Sequence, residues 1–157
     1  MHPALRSFGL VAIAMAAFGC RPDHPAPRRS IVPLVLLGDR LAVCRLPVDQ
    51  PLEEWAKGDK GEFFSATRTP DEVSVILAES HPPEGAKCER GFRLLKVRGP
   101  LDFSLVGIIA GLSGTLADAG VSIFAFSTYD TDYLMVKDVD LERSVAALRK
   151  AGYEVGR

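Results

Sequence analysis

Near residue 100 the spacing of apolar residues changes. In FRLLKVRGP, residues 92–100, Phe92, Leu94, Lys96 and Arg98 alternate with Arg93, Leu95 and Val97, the two-residue repeat of a strand. Directly afterwards Leu105, Ile108, Ile109, Leu112, Leu116 and Ala119 recur at helical spacing. This helix is expected to start near Ser104, an acceptable N-cap, and to stop at Gly120. VSIFAFSTYDTDYLMVK then reads as strand, polar turn and strand. Asp140 is expected to cap a last helix, LERSVAALRKA, and Tyr153–Val155 to close as a strand. The order from residue 92 onward is therefore β-α-β-β-α-β. Such an order packs as an antiparallel sheet with both helices on one face, the ferredoxin-like arrangement.

The first half is richer in strand signals and less regular. LVLLGDRLAVCRLP, residues 34–47, reads as two apolar runs turning at Gly38–Asp39. PLEEWAK, residues 51–57, reads as a short helical turn with Trp55 inward. EFFSATRTPDEVSVILAE, residues 62–79, reads as a hairpin whose turn, Thr69–Glu72, has proline second, with Val73, Val75 and Leu77 on one face. Residues 81–91 read as a loop. We take residues 31–91 as a diverged copy of the second module, residues 92–157, so that the whole is an α+β protein of tandem ferredoxin-like modules.

Several function classes are disfavoured. Net charge is −1, and no basic stripe is interleaved with aromatics, so no nucleic-acid partner is expected. The three cysteines, Cys20, Cys44 and Cys88, are widely spaced and odd in number, which suggests neither a disulfide framework nor a zinc site. Cys44, within LAVCRL, is read as a small buried hydrophobe. The three histidines have no ligand-spaced partners, and no glycine-rich phosphate loop occurs. No metal, no cofactor and no catalytic residues are expected, and the chain is read as not an enzyme.

Residues 1–30 are read as a tail outside the fold. SFGLVAIAMAAFG, residues 7–19, has the length of a secretory apolar core, and Cys20 is followed by the proline-rich RPDHPAPRR. Two readings stay open: a cytoplasmic protein with a misplaced start, or an exported lipoprotein lipidated at Cys20.

GPLDFSLVGIIAGLSGTLADAGVSIFAFSTYDTDYLMVK, with its loop into a helix, its "ADAGVSIF" and its "STYDTDY", resembles an ACT domain, the small-ligand regulatory module. It is especially similar to the CASTOR-type arginine sensors and to the regulatory ACT pairs of aspartate kinases. The resemblance implies amino-acid sensing: such modules pair with sheets joined and bind an amino acid at the junction. It also implies a regulated partner protein, which the sequence does not name, and a possible homodimer. By this resemblance Asp132 matches the acidic position after the hairpin tip, and Thr128 and Tyr129 the pair before it.

The chemistry of the residues agrees. A helix beginning offers unpaired N–H groups and the positive end of a dipole, which suits a carboxylate. Gly107 in the first turn lets a ligand approach the backbone. Side-chain oxygens of the hairpin accept from an ammonium or guanidinium. The expected ligand-binding residues are Asp102, Phe103, Ser104, Gly107 and Ile108 on one side, and Ser127, Thr128, Tyr129, Asp130, Thr131 and Asp132 on the other. The expected ligand is an amino acid or related small metabolite. Each residue also has a plainer reading: Ser104 as a cap alone, Gly107 as a packing residue, Asp130 and Thr131 as a solvated turn. The alternative function is a ligand-free module for protein association. Phe124 and Phe126 are read as core.

Overall fold

The computed structural model of this chain describes residues 31–52 and 63–157. The helical turn expected at 51–57 lies mostly outside the described residues. The strands are β1 (Leu34–Leu46), β2 (Ser65–Arg68), β3 (Val73–Ala78), β4 (Lys87–Val97), β5 (Ile123–Ser127), β6 (Asp132–Lys137) and β7 (Val155–Gly156). The helices are α1 (Ile108–Asp118) and α2 (Leu141–Lys150).

All seven strands form one sheet in the order β2-β3-β1-β4-β6-β5, with β7 also paired to β1. From β4 onward the expected β-α-β-β-α-β order is present, and both helices pack on one face. Leu95 and Val97 of β4 and Leu134 and Val136 of β6 meet Leu112 and Leu116 of α1 and Leu148 of α2 there. The alternate residues of the same strands, Leu94, Tyr133 and Met135, join Leu41 and Ile76 on the other face. The sheet curls around this second cluster. Phe63, just ahead of edge strand β2, lies 5.7 Å from Phe126 on the opposite edge strand β5 and 5.4 Å from Tyr133. Phe126 thus packs against a core, as expected, whereas Phe124 is exposed because β5 is an edge strand.

Four expectations are corrected. Residues 34–46 form no hairpin but a single strand. Gly38–Asp39 sits where the β1–β4 register shifts between Leu36↔Leu95 and Arg40↔Arg93, so the extra residues are absorbed as a bulge. β4 begins at Lys87, inside the expected loop and across the expected module boundary. Among the described residues the first half is three strands without a helix, not a second β-α-β-β-α-β unit, and it shares the sheet of the second half. β1 lies beside β4, and the closing strand β7 pairs in parallel with Leu34 and Val35 of β1.

The fourth correction concerns cysteine. Cys44 and Cys88 are bonded to each other. They lie directly opposite in the antiparallel β1–β4 ladder, with Cα atoms 4.1 Å apart. They are 44 positions apart in sequence, so only strand pairing brings them together.

The helix-side core makes a stability prediction. Leu134 is 1% exposed between the helices and the sheet, whereas Val139 is 91% exposed. Leu134→Ala is expected to lower unfolding free energy by about 2–5 kcal/mol in urea denaturation. Val139→Ser should change it by less than about 0.5 kcal/mol.

Candidate functional site

The loop from β4 to α1 folds back against the β5–β6 hairpin, and several contacts hold the two together. The Leu101 N–H donates to the Asp130 carbonyl at 2.8 Å. The buried Thr131 hydroxyl donates to the Val97 carbonyl at the end of β4, at 2.5 Å. Gly99 makes the approach possible. A Cβ there would lie 2.7 Å from the Asp130 carbonyl oxygen and 3.0 Å from the Thr131 Cβ. At the tip, Phe103 and Tyr129 meet edge to face with centroids 5.2 Å apart, although they are 77% and 82% exposed.

The sequence placed the helix start too early. Asp102 Oδ1 accepts from the Ser104 N–H at 2.8 Å and from the Ser104 hydroxyl at 2.6 Å. The Leu105 N–H returns to the Asp102 carbonyl at 3.0 Å. Residues 102–105 therefore form a turn of their own, and the Ser104 hydroxyl is not available as a cap. Gly107, at φ 80° in the left-handed region, stands at the N-cap. No side chain caps α1. Its first N–H groups lack the partner that a preceding helical turn would supply. Asp140 is likewise no side-chain cap of α2: its carboxylate pairs with Arg143.

Between loop and hairpin lies a cleft of about 380 Å³. Asp102, Phe103, Gly107 and Ile108 line it from the helix side, and Ser127, Thr128, Tyr129, Asp130, Thr131 and Asp132 from the hairpin. Ser104 is the one expected residue that does not, because its side chain turns to Asp102. Sequence reasoning missed Leu101, Leu105, Ile109 and Ala110, which complete the lining. Ile109 carried a readable signal, since it follows Ile108 in the first helical turn.

The lining is chemically uneven. It holds three carboxylates, Asp102, Asp130 and Asp132, and no lysine, arginine or histidine. The Ser127 hydroxyl donates to Asp132 Oδ1 at 2.5 Å. The Thr128 N–H and hydroxyl both reach the Thr131 carbonyl, at 2.8 and 3.2 Å, which closes the hairpin. Thr128 therefore spends its hydroxyl hydrogen within the turn, and Thr131 spends its own on Val97 of β4. The three carboxylates keep acceptor capacity, and the wall opposite the hairpin is the uncapped start of α1. No group of metal-binding side chains occurs among the described residues.

Two tests follow from this geometry. Gly99→Ala forces the loop off the hairpin and should destabilise the protein by about 1–3 kcal/mol, with amide shifts in NMR centred on Asp130 and Thr131. The second concerns Asp102. The Ser104 hydroxyl, and after it the Ser104 N–H, holds its carboxyl below the ordinary value of 3.8. A carboxyl held low in the fold strengthens its turn fully above pH 3.8, and that contribution fades as pH falls through the lower folded value. In a carboxyl-carbon NMR titration, Ser104→Ala should move the Asp102 midpoint upward.

Comparison with known proteins places these features. The ACT domain model matches residues 87–150, and a separate model of an N-terminal domain matches residues 39–84. A protein from Agrobacterium tumefaciens is 32% identical, with 80% of this chain and 92% of that one covered and a TM-score of 0.73. The regulatory subunit of aspartate kinase from Thermus thermophilus, in ligand-free form, is 14% identical, with 78% and 99% covered and a TM-score of 0.56. Aspartate kinase from Clostridium acetobutylicum is 14% identical, with 82% of this chain and 37% of the enzyme covered and a TM-score of 0.58. At 14% identity the two kinase likenesses concern the fold.

Proposed function

Because this chain belongs to the ACT domain family, we propose that it is a regulatory protein whose cleft between the β4–α1 loop and the β5–β6 hairpin binds an amino acid. The observation that carries this reading is the convergence of two segments, 101–110 and 127–132, on one cavity with opposite chemistry on its walls. Its volume falls within the range of about 300–1,000 Å³ typical of small-molecule sites.

The free N–H groups and dipole of α1 attract a ligand carboxylate. The carboxylates of Asp130 and Asp132 accept from its ammonium, and Asp102 extends the acidic wall. With three negative side chains and no positive one, the lining favours a ligand with a positively charged group. Phe103 and Tyr129 stand at the mouth, where their rings can cover such a group. The role is regulatory rather than catalytic: ligand joins loop to hairpin and favours that closed arrangement by its differential affinity, and a partner protein reads the change. The open edge of β5, beside the cleft, is where a second copy would join its sheet and complete the site. On this reading the first half, three strands among its described residues, serves as a reduced companion to the ACT domain.

Calorimetry against the common amino acids tests the proposal. A saturable signal is expected for at least one of them. Asp132→Ala should weaken it by about 10- to 100-fold, the loss of one charge-assisted hydrogen bond of about 1.5–3 kcal/mol. Asp39→Ala, outside the cleft, should leave it unchanged. Silence from every amino acid, together with a stable dimer by light scattering, would replace this reading with that of a ligand-free association module.

A further inference from the structure

Away from the cleft, the sheet carries a cross-link that the regulatory reading does not use. Cys44 of β1 and Cys88 of β4 are joined. Cys44 is 0% exposed, packed among Ala42, Leu46, Val73 and Val75, and Cys88 is partly buried at the edge of the same cluster.

The position of the bond indicates what it holds. β6 pairs with β4 only from Phe92 onward, so residues 87–91 lie beyond that ladder. Their strand partner is β1, through Val43↔Glu89, Cys44↔Cys88 and Arg45↔Lys87. These three pairs follow a register shift, which interrupts the ladder above them. The bond thus sits in a three-pair stretch of the β1–β4 ladder that the shift sets apart from the rest. It closes a loop of 44 residues that contains all of β2 and β3. A bond closing a loop of that length restricts the unfolded chain substantially.

A thiol poised for exchange is accessible and sits in electropositive surroundings. Cys44 is neither exposed nor among charges. A core-seated cross-link of this kind is stable in an oxidising compartment and rare in a reducing cytosol.

We infer that this protein matures and works in an oxidising compartment, with its N-terminal half fastened to the ACT domain by the Cys44–Cys88 disulfide. Of the two locations left open by the sequence, this favours the exported one over the cytoplasmic one. The apolar run at residues 7–19, with the length of a secretory core, points the same way independently of the fold. In forming the bond, two thiols lose two protons and two electrons. A disulfide oxidant of the compartment takes them up and becomes two thiols. The inference does not depend on the ligand, and its test is separate from the calorimetry.

The test uses the full chain in its native host. Cells are quenched in acid, free thiols are alkylated with N-ethylmaleimide, disulfides are reduced, and the released thiols take an isotopically heavy maleimide. Peptides carrying Cys44 and Cys88 are then read by mass spectrometry. The heavy label on both residues in most molecules supports the inference, and the light label on both in most molecules overturns it. A second measurement addresses the fastening. Full reduction of the purified protein by dithiothreitol should lower its melting temperature by roughly 10 °C. An unchanged melting temperature after complete reduction would show that the bond fastens nothing. The double variant Cys44→Ala/Cys88→Ala should melt with the reduced protein, and the reduction experiment stands on its own if that variant does not fold.

Discussion

The long antiparallel ladder between β1 and β4 holds this molecule together. β1 is hydrogen-bonded to β4 along most of its length, to β3 through its C-terminal half, and to β7 at Leu34 and Val35. It therefore ties the strands of the first half to the β-α-β-β-α-β unit and anchors the C-terminal strand. Its two faces feed different cores: Leu34 packs beneath the helices, and Leu41 lies within the curl of the sheet. Removing β1 would expose a flank of β4 and leave β7 without its strand partner. An exposed sheet flank is a poor scaffold for a precise site.

β4 carries that support to the cleft. Its last residue, Val97, accepts the Thr131 hydroxyl, and two residues later Gly99 lets the chain pass against the hairpin. The loop is thus held at its base by buried backbone contacts, while its tip, at Phe103 and Tyr129, remains open to solvent. Thr128, Thr131 and Ser104 satisfy neighbouring atoms, whereas the carboxylates and the uncapped start of α1 retain capacity.

Much of this was legible in one dimension. The switch from alternating to helical spacing after residue 97 placed β4, α1, β5, β6 and α2 in order, because burying one face of a regular element imposes its own period on the sequence. The polar cluster at 127–132 and the glycine at 107 marked both walls of the cleft for the same local reason: their chemistry is visible without knowing their neighbours. Ser104 was misplaced because Asp102, two residues earlier, competes for its hydroxyl, and such competition is settled by the folded turn. Leu101 and Ala110 were missed because small and apolar residues carry no mark of what they line.

Residues close in sequence therefore determined the secondary structure of the ACT domain and the chemical character of its cleft, since local spacing and side-chain type act over a few residues. Tertiary structure alone decided that Gly38–Asp39 bulges rather than turns, that β1 lies beside β4, and that Cys44 meets Cys88. Each of these depends on which strand lies beside which, and in what register. That choice is made by burying two cores at once across dozens of residues, and no short stretch of sequence records it.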